Sequence, residues 1–327
     1  MSTTTAALDA VTPDDVERAG RSLRQHLPPT PLQLSYALTE KVGCPVHLKL
    51  ESAQPTRSFK VRGALNRVLG LLERDRTGGV ISASAGNHGQ GVAYAARTLG
   101  IPATVYVPVG ANAGKVASMR RLGARVVLFG RTYNDAYLEA RRAQLTSHAT
   151  FVHAYDDADV VAGQGTVGLE LLAQLPEVDT VLVPIGGGGL IGGVARYLKH
   201  FRPEVRIVGV EPEGAASMHR SLATGRIETL ASVDTMADGL AASAPGDLTF
   251  ALARAFVDEV LLVSEAELLR GVRVLLQWEH LLAEPGGAAA TAALLHHYRP
   301  RAGEQIAVLV SGANVSDEVL VQALRTR

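Results

Sequence analysis

Short, largely apolar runs alternate with longer helical patterns along this chain, and that alternation limits the possible folds more than any other feature. Segments 46–50, 79–82, 104–107, 125–129, 180–185, 206–210, 259–263 and 306–310 read as strands. Several are apolar at nearly every position, as expected of strands covered on both faces of a parallel sheet. Between them, Ser58 is placed to cap a helix over 59–72. Ser264 is placed to cap one over 265–277, with Glu267 in the capping-box position. A β-α-β-α order leads to parallel sheets with helices on both faces.

The 327 residues suffice for roughly two domains. No flexible linker divides them; Pro28-Pro29-Thr30-Pro31 is a rigid extended connection near the start. Two domains without a linker imply a chain that crosses between them more than once, leaving a ligand cleft at the carboxyl ends of strands. Acidic and basic side chains balance at 32 each, so charge gives no reason to expect nucleic acid or a membrane as partner. The single cysteine, Cys44, cannot form an internal disulfide and reads as a small packing residue. No apolar run reaches the roughly 18 residues of a membrane helix. Residues 1–8 lack the basic and apolar regions of a signal peptide and read as a frayed tail. A cytoplasmic enzyme is expected.

Four segments could carry chemistry. In Pro55-Thr56-Arg57-Ser58-Phe59-Lys60, the lysine falls at the second position of a helix. A cation there opposes the positive end of the helix dipole. That lowers its pKa and favours the neutral amine, the form that condenses with an aldehyde. The spacing alone also describes a solvated surface lysine. The loop Ser82-Ala83-Ser84-Ala85-Gly86-Asn87-His88-Gly89 joins a strand to a helix over 90–98. Its backbone amides suit a phosphate or carboxylate, and His88 reads as a hydrogen-bonding residue more than a general base. Gly186-Gly187-Gly188-Gly189 follows an apolar strand and opens a helix; four glycines let successive amides converge on one anion with no side chain in the way. Ser311-Gly312-Ala313-Asn314 ends another strand, where a hydroxyl could meet a ligand ring nitrogen or simply cap a turn. The tetraglycine also contains Gly187-x-Gly189-x-x-Gly192, with Glu211 at the end of the next strand, which fits the dinucleotide fingerprint. An NAD-binding oxidoreductase is therefore a rival reading, although it leaves the lysine and asparagine segments unexplained.

Together these segments resemble the fold-type II pyridoxal phosphate (PLP) enzymes, in particular the threonine/serine dehydratase and serine racemase branch. The resemblance runs from about 11 to 320. It includes Lys49-Leu50-Glu51, Gln54-Pro55-Thr56, Ser58-Phe59-Lys60-Val61-Arg62-Gly63-Ala64, Ser84 through Gln90, Gly163-Gln164-Gly165-Thr166, the tetraglycine, Ala237-Asp238-Gly239 and Glu284-Pro285. It implies an α/β fold of two open, mostly parallel twisted sheets flanked by helices, with the cofactor in the interdomain cleft. Residues 1–52 and 154–327 would form the large PLP-binding domain, and 53–153 the small domain with the asparagine loop. Lys60 is similar to the Schiff-base lysine and Phe59 to the residue beside the ring. Asn87 would meet the ring hydroxyl, Gly186 to Gly189 the phosphate and Ser311 the pyridine nitrogen, with Gly239 also at the cofactor. The Ser84, Ala85, Gly86, Asn87 and His88 amides would hold the substrate carboxylate.

The implied reaction is β-elimination: L-threonine to 2-oxobutyrate, or L-serine to pyruvate, plus ammonia. Where the racemase branch carries a proton-transferring serine, this chain has Ala85, which favours a lyase over a serine racemase. A 3-hydroxyaspartate dehydratase is a further alternative, with Arg131, Arg141, Arg142 and His153 as candidate partners for an acidic substrate. A PLP-binding sensor without turnover would not need the asparagine loop. The branch's divalent-cation site would map to Glu211, Ala215 and Ser217; the serine replaces an aspartate, so a weak site or none is expected. Arg57 stands where the motif commonly has glycine. The resemblance also implies a homodimer and, for a chain of this length, a catabolic type without a regulatory domain.

Overall fold

The computed structural model describes residues 8–74 and 78–326; residues 1–7, including most of the expected tail, lie outside them. The apolar runs become strands with ends shifted by a residue or two: β2 Val46–Leu50, β3 Val80–Ala83, β4 Ala103–Val107, β5 Arg125–Leu128, β7 Thr180–Pro184, β8 Arg206–Pro212, β9 Glu259–Val263 and β10 Ile306–Val310. Two further strands were not legible. These are β1 Leu32–Leu34, an edge strand antiparallel to β2, and β6 Thr150–Phe151, which joins β3 through two residues. Neither is long enough to show a periodicity.

The strands form two sheets, ordered β1-β2-β10-β7-β8-β9 and β5-β4-β3-β6. Every pairing except β1 with β2 is parallel. The smaller sheet uses only residues between Val80 and Phe151, while the larger takes strands from both sides of that stretch. The chain therefore leaves the larger sheet and returns to it. Alternate residues of the central strands feed different cores: Leu182, Val208, Val210 and Val308 on one face, Val181, Val183, Ile207 and Ala307 on the other. Both faces are dry, which is why these runs carry so few polar residues. Each fully buried valine or leucine contributes roughly 1.5–3 kcal/mol.

Two devices join the halves. The helix Lys60–Leu72 lies against the helix Ala158–Gln174 at a pair of glycines. A Cβ on Gly163 would fall 2.7 Å from Gly63 Cα, and one on Gly63 would fall 2.6 Å from the Val160 carbonyl oxygen. The second device is a buried set of charges. Arg62, 1% exposed, donates through Nε and Nη2 to the two oxygens of Glu51 at 2.7 and 2.9 Å. It also donates through Nη1 and Nη2 to the two oxygens of Glu170 at 2.7 and 2.8 Å. Lys49 spends its three donors on Glu170, Gln174 and the Thr30 carbonyl, and the Thr30 hydroxyl donates to Glu51.

Two cations thus meet two carboxylates away from water. Burial alone would push the Glu51 carboxyl up, but Arg62 and Lys49 hold it below the usual range. Burial lowers the Lys49 pKa, and Glu170 and Glu51 offset only part of that. Such a set adds little net stability over an apolar core, but breaking it is costly because the remaining charges cannot be resolvated. Arg62→Met, which leaves two buried carboxylates facing a single lysine, is expected to cost about 3–5 kcal/mol. Arg226→Met, at an exposed pair with Glu228, is expected to leave stability essentially unchanged. Urea unfolding curves of the two variants test the difference.

Candidate active site

The sequence-selected segments converge at the carboxyl ends of β3, β7 and β10. Lys60 is the first residue of its helix, not the second, and Ser58 does not cap it: the cap residue Phe59 makes no side-chain bond. Among the described residues the Ser58 hydroxyl is buried without a partner, and its backbone is paired with Gly312 across an isolated bridge. The Phe59 amide donates to the Ser311 carbonyl at 3.1 Å, so the lysine segment lies beside the end of β10. Arg57 explains the glycine usual at its position. Its φ is 58°, in the left-handed region, where a side chain costs roughly 1–2 kcal/mol. Its carbonyl nevertheless accepts from the Ala313 amide at 2.8 Å, fixing the turn just before Lys60.

The Lys60 Nζ donates to the Ala154 carbonyl at 2.9 Å and lies 5.1 Å from the Phe59 ring centre. Its pKa is pushed down to about 8. Burial, which makes the charged form hard to solvate, is the cause. Ala154 precedes Tyr155, whose ring lies on the tetraglycine. A Cβ on Gly187 would sit 2.3 Å from that ring, and one on Gly186 would sit 3.0 Å from the Gly239 carbonyl. Gly188 has φ 91° and begins the helix Gly189–Phe201, while the Thr249 hydroxyl donates to the Gly187 carbonyl at 2.6 Å. The glycine amides that lead into this helix, with no side chains of their own, make an anion cradle at its N-terminus.

The asparagine loop leads into a helix that starts at Asn87, earlier than its sequence suggested, and runs to Leu99. The Ser84 hydroxyl accepts from the Gly86 amide at 3.2 Å. His88 is not a base: Nε2 faces the Val152 carbonyl at 3.1 Å, and burial followed by the Lys60 charge pushes its pKa down to about 3. Asn87 donates to Glu284 and accepts from Asn314. The Ser311 hydroxyl donates to the Gly286 carbonyl at 3.2 Å. At the rim, Lys115 Nζ reaches across to Asp238 at 3.1 Å. Lys115, Tyr155 and Thr249 had no sequence signal; Glu284 and Asn314 lay in quoted motifs without an assigned role.

Other candidates fall elsewhere. Arg131, Arg141 and Arg142 are exposed; Arg141 stacks on Phe151 and Arg142 pairs with Glu139. His153 is nearer, but its Nδ1 accepts from the Tyr155 and Asp156 amides. Glu211, Ala215 and Ser217 lie together, with the Glu211 oxygens accepting from the Met218 and His219 amides at 2.9 and 2.8 Å. Burial raises that carboxyl to about 7. One carboxylate already spent on helix amides, beside a serine hydroxyl, is a poor divalent-cation set. Among the described residues no group of three or more His, Cys, Asp or Glu is arranged to hold a metal. Glu211 is also fully buried, which counts against it as the ribose-binding acid of the dinucleotide reading. Cys44 is buried and donates to the Arg301 carbonyl, a packing role. No helix among the described residues is long and apolar enough to cross a membrane.

The donors fit pyridoxal phosphate: an amine of lowered pKa to bond its aldehyde, a side-chain-free cradle for its phosphate, and an amide and a hydroxyl for its ring. Residues 23–312 match the family described as pyridoxal-phosphate dependent enzyme. An L-threonine ammonia-lyase of Thermotoga maritima is 44% identical over 305 residues, covering 93% of this chain and 76% of that protein. The catabolic L-threonine dehydratase TdcB of Staphylococcus aureus is 39% identical over 322 residues, covering 96% and 93%. Among solved structures, maize serine racemase superposes with a TM-score of 0.92 at 35% identity, covering 96% of this chain and 97% of that one.

Neutral Lys60 is the form that bonds an aldehyde, so its fraction sets the rate of cofactor uptake. The protein stripped of cofactor is expected to take up pyridoxal phosphate faster as pH rises, levelling off above about 8. Stopped-flow growth of the visible band tests this; a rate still climbing towards pH 10 would indicate a lysine with an ordinary pKa.

Proposed function

The chain belongs to the pyridoxal-phosphate dependent enzyme family, and on that premise we propose that it removes ammonia from a small β-hydroxy amino acid, converting L-threonine to 2-oxobutyrate or L-serine to pyruvate. The observation that carries this reading is the Lys60 amine, lowered to a pKa of about 8 and held on the Ala154 carbonyl, next to Tyr155, whose ring lies on the tetraglycine. Relatives named as threonine ammonia-lyase and threonine dehydratase support the choice of reaction. When bound, the cofactor supplies an electron sink that acidifies the substrate Cα–H.

The chain's own residues do the rest. Gly186 to Gly189 would hold the phosphate through amides, with Phe59 beside the ring and Gly239 also at the cofactor. Asn87 would meet the ring hydroxyl, and Ser311, by turning its hydroxyl away from the Gly286 carbonyl, would donate to the ring nitrogen as a neutral group that does not force its protonation. The Ser84–His88 amides hold the substrate carboxylate and so fix which bonds at Cα face Lys60. Neutral Lys60 Nζ takes the Cα proton and passes it to the β-hydroxyl, which departs as water, and the enamine released takes up water to give the oxo acid and ammonia.

The likeness to maize serine racemase makes racemisation the second reading. Ala85 speaks against it, since a methyl group cannot return a proton to the face opposite Lys60. A 3-hydroxyaspartate substrate lacks a waiting cation: the three candidate arginines are exposed, and Lys115 is paired with Asp238. The division into 1–52 with 154–327 and 53–153, and a cytoplasmic homodimer, belong to the same proposal and rest on the family resemblance.

Purified protein with pyridoxal phosphate and L-threonine is expected to accumulate 2-oxobutyrate, and Lys60→Ala to lower turnover by about three orders of magnitude. D-allo-threonine from L-threonine, or D-serine from L-serine, as the main product, read by chiral chromatography, would replace the lyase reading with the racemase one. Turnover near the wild-type rate in Lys60→Ala would contradict the assignment of the base.

A further inference from the structure

Asn87 has two chemically different ends, and only the nitrogen end can donate to a cofactor ring oxygen. We propose that Asn314 is a positioning residue that fixes this polarity, taking its own orientation from the Thr56 carbonyl. The inference rests on the cofactor reading above and goes beyond it by assigning the residue that makes Asn87 a donor.

The chain of hydrogen bonds starts from a group with no choice. A backbone carbonyl only accepts, and the Thr56 carbonyl accepts from Asn314 Nδ2 at 2.9 Å. The nitrogen end of Asn314 is thereby fixed. Its second hydrogen goes to Asn87 Oδ1 at 2.7 Å, so the oxygen end of Asn87 faces Asn314. Asn87 Nδ2 then faces the other way, towards Glu284 Oε1. An amide nitrogen carries two hydrogens, so one remains after Glu284 is satisfied. Its surroundings say where it is available: Nδ2 lies 3.7 Å from the Cβ position of Gly239, the residue whose carbonyl abuts Gly186. Turning the Asn87 amide over would set two NH2 groups face to face and an oxygen against the Glu284 carboxyl. Both bonds would be lost and two repulsive contacts made, in a place where Asn87, Thr56 and Glu284 are all buried.

The arrangement also joins separate pieces of the chain. Thr56 lies in the segment that carries Lys60, Asn87 begins the helix after β3, and Asn314 follows β10. Asn314 therefore orients the ring-oxygen donor by reference to the segment that presents the amine. A donor at the ring oxygen stabilises its anionic form. In the lysine-bound cofactor the anionic form absorbs at longer wavelength than the form whose oxygen keeps its own proton, so the ratio of the two bands reports the donor directly.

The experiment compares wild type, Asn314→Ala and Asn314→Asp at saturating pyridoxal phosphate. Absorption spectra, melting temperature and steady-state kinetics with L-threonine are read for each. The aspartate is nearly isosteric but accepts only, so it draws the Asn87 nitrogen towards itself and leaves the oxygen end at the cofactor. The expected order of the long- to short-wavelength ratio is wild type, then Asn314→Ala, then Asn314→Asp, with a fall of about tenfold at the last, as for loss of one charge-assisted hydrogen bond. kcat is expected to fall with it while KM moves little. Variants that melt lower but keep the wild-type band ratio would overturn the inference, since Asn314 would then be structural only. Should Asn314→Asp fail to fold, the Asn314→Ala ratio decides alone. A wild-type protein with no visible band after cofactor addition would overturn the cofactor reading itself, a distinct result from an unchanged ratio.

Discussion

The Arg62 guanidinium is the interaction on which the site's geometry depends. It sits two residues after Lys60 on the same helix and is anchored to Glu51, at the end of β2, and to Glu170, on a helix preceding β7. A lysine amine on four rotatable bonds is only as well placed as the backbone that bears it. Here the first turn of the helix is tied at both ends: by Arg62 within it, and by the Phe59 amide on the Ser311 carbonyl before it. The five donors of the guanidinium form a rigid fork, so the anchor fixes angle as well as position. Lys49 balances the charge; without it, two carboxylates would confront a single cation in a dry interior.

Close backbone approach is the second constraint, and it explains how much glycine the chain carries near its site. Gly63 and Gly163 let the Lys60 helix lie directly on the helix Ala158–Gln174. The tetraglycine lets Tyr155 rest on a bare backbone and still leaves amides free. Burial does the remaining chemistry. The same exclusion of water that lowers the Lys60 pKa to about 8 also lowers that of His88 to about 3. One environment makes the lysine a usable nucleophile and takes the histidine out of acid–base work.

The sequence showed what rests on period and composition. Eight of the strands were legible because a parallel strand covered on both faces has to be apolar throughout, and the tetraglycine was legible because nothing but glycine serves there. Ser264 and Glu267 form the capping box that their spacing requires. Ser58 misled because its capping signal is local, whereas its position is set by pairing with Gly312, far along the chain. The burial that lowers the Lys60 pKa was hidden for a related reason: a helix terminus can be read from sequence, burial cannot. Lys115, Asp238 and Asn314 act across the cleft, and partners more than a hundred residues apart leave no short-range pattern. Arg57 was visible as a departure from a motif, but only its φ of 58° says what the usual glycine is for.

Lys60 as the residue that bonds the cofactor is the claim that the rest of the account stands on. Its most direct test is to load the protein with pyridoxal phosphate, reduce with borohydride to turn the cofactor–lysine linkage into a stable amine, digest, and locate the added mass by peptide sequencing. The account predicts the label on the peptide containing Lys60, at near one per chain and absent after Lys60→Ala. A label on Lys115, on Lys49 or spread over surface lysines would contradict it.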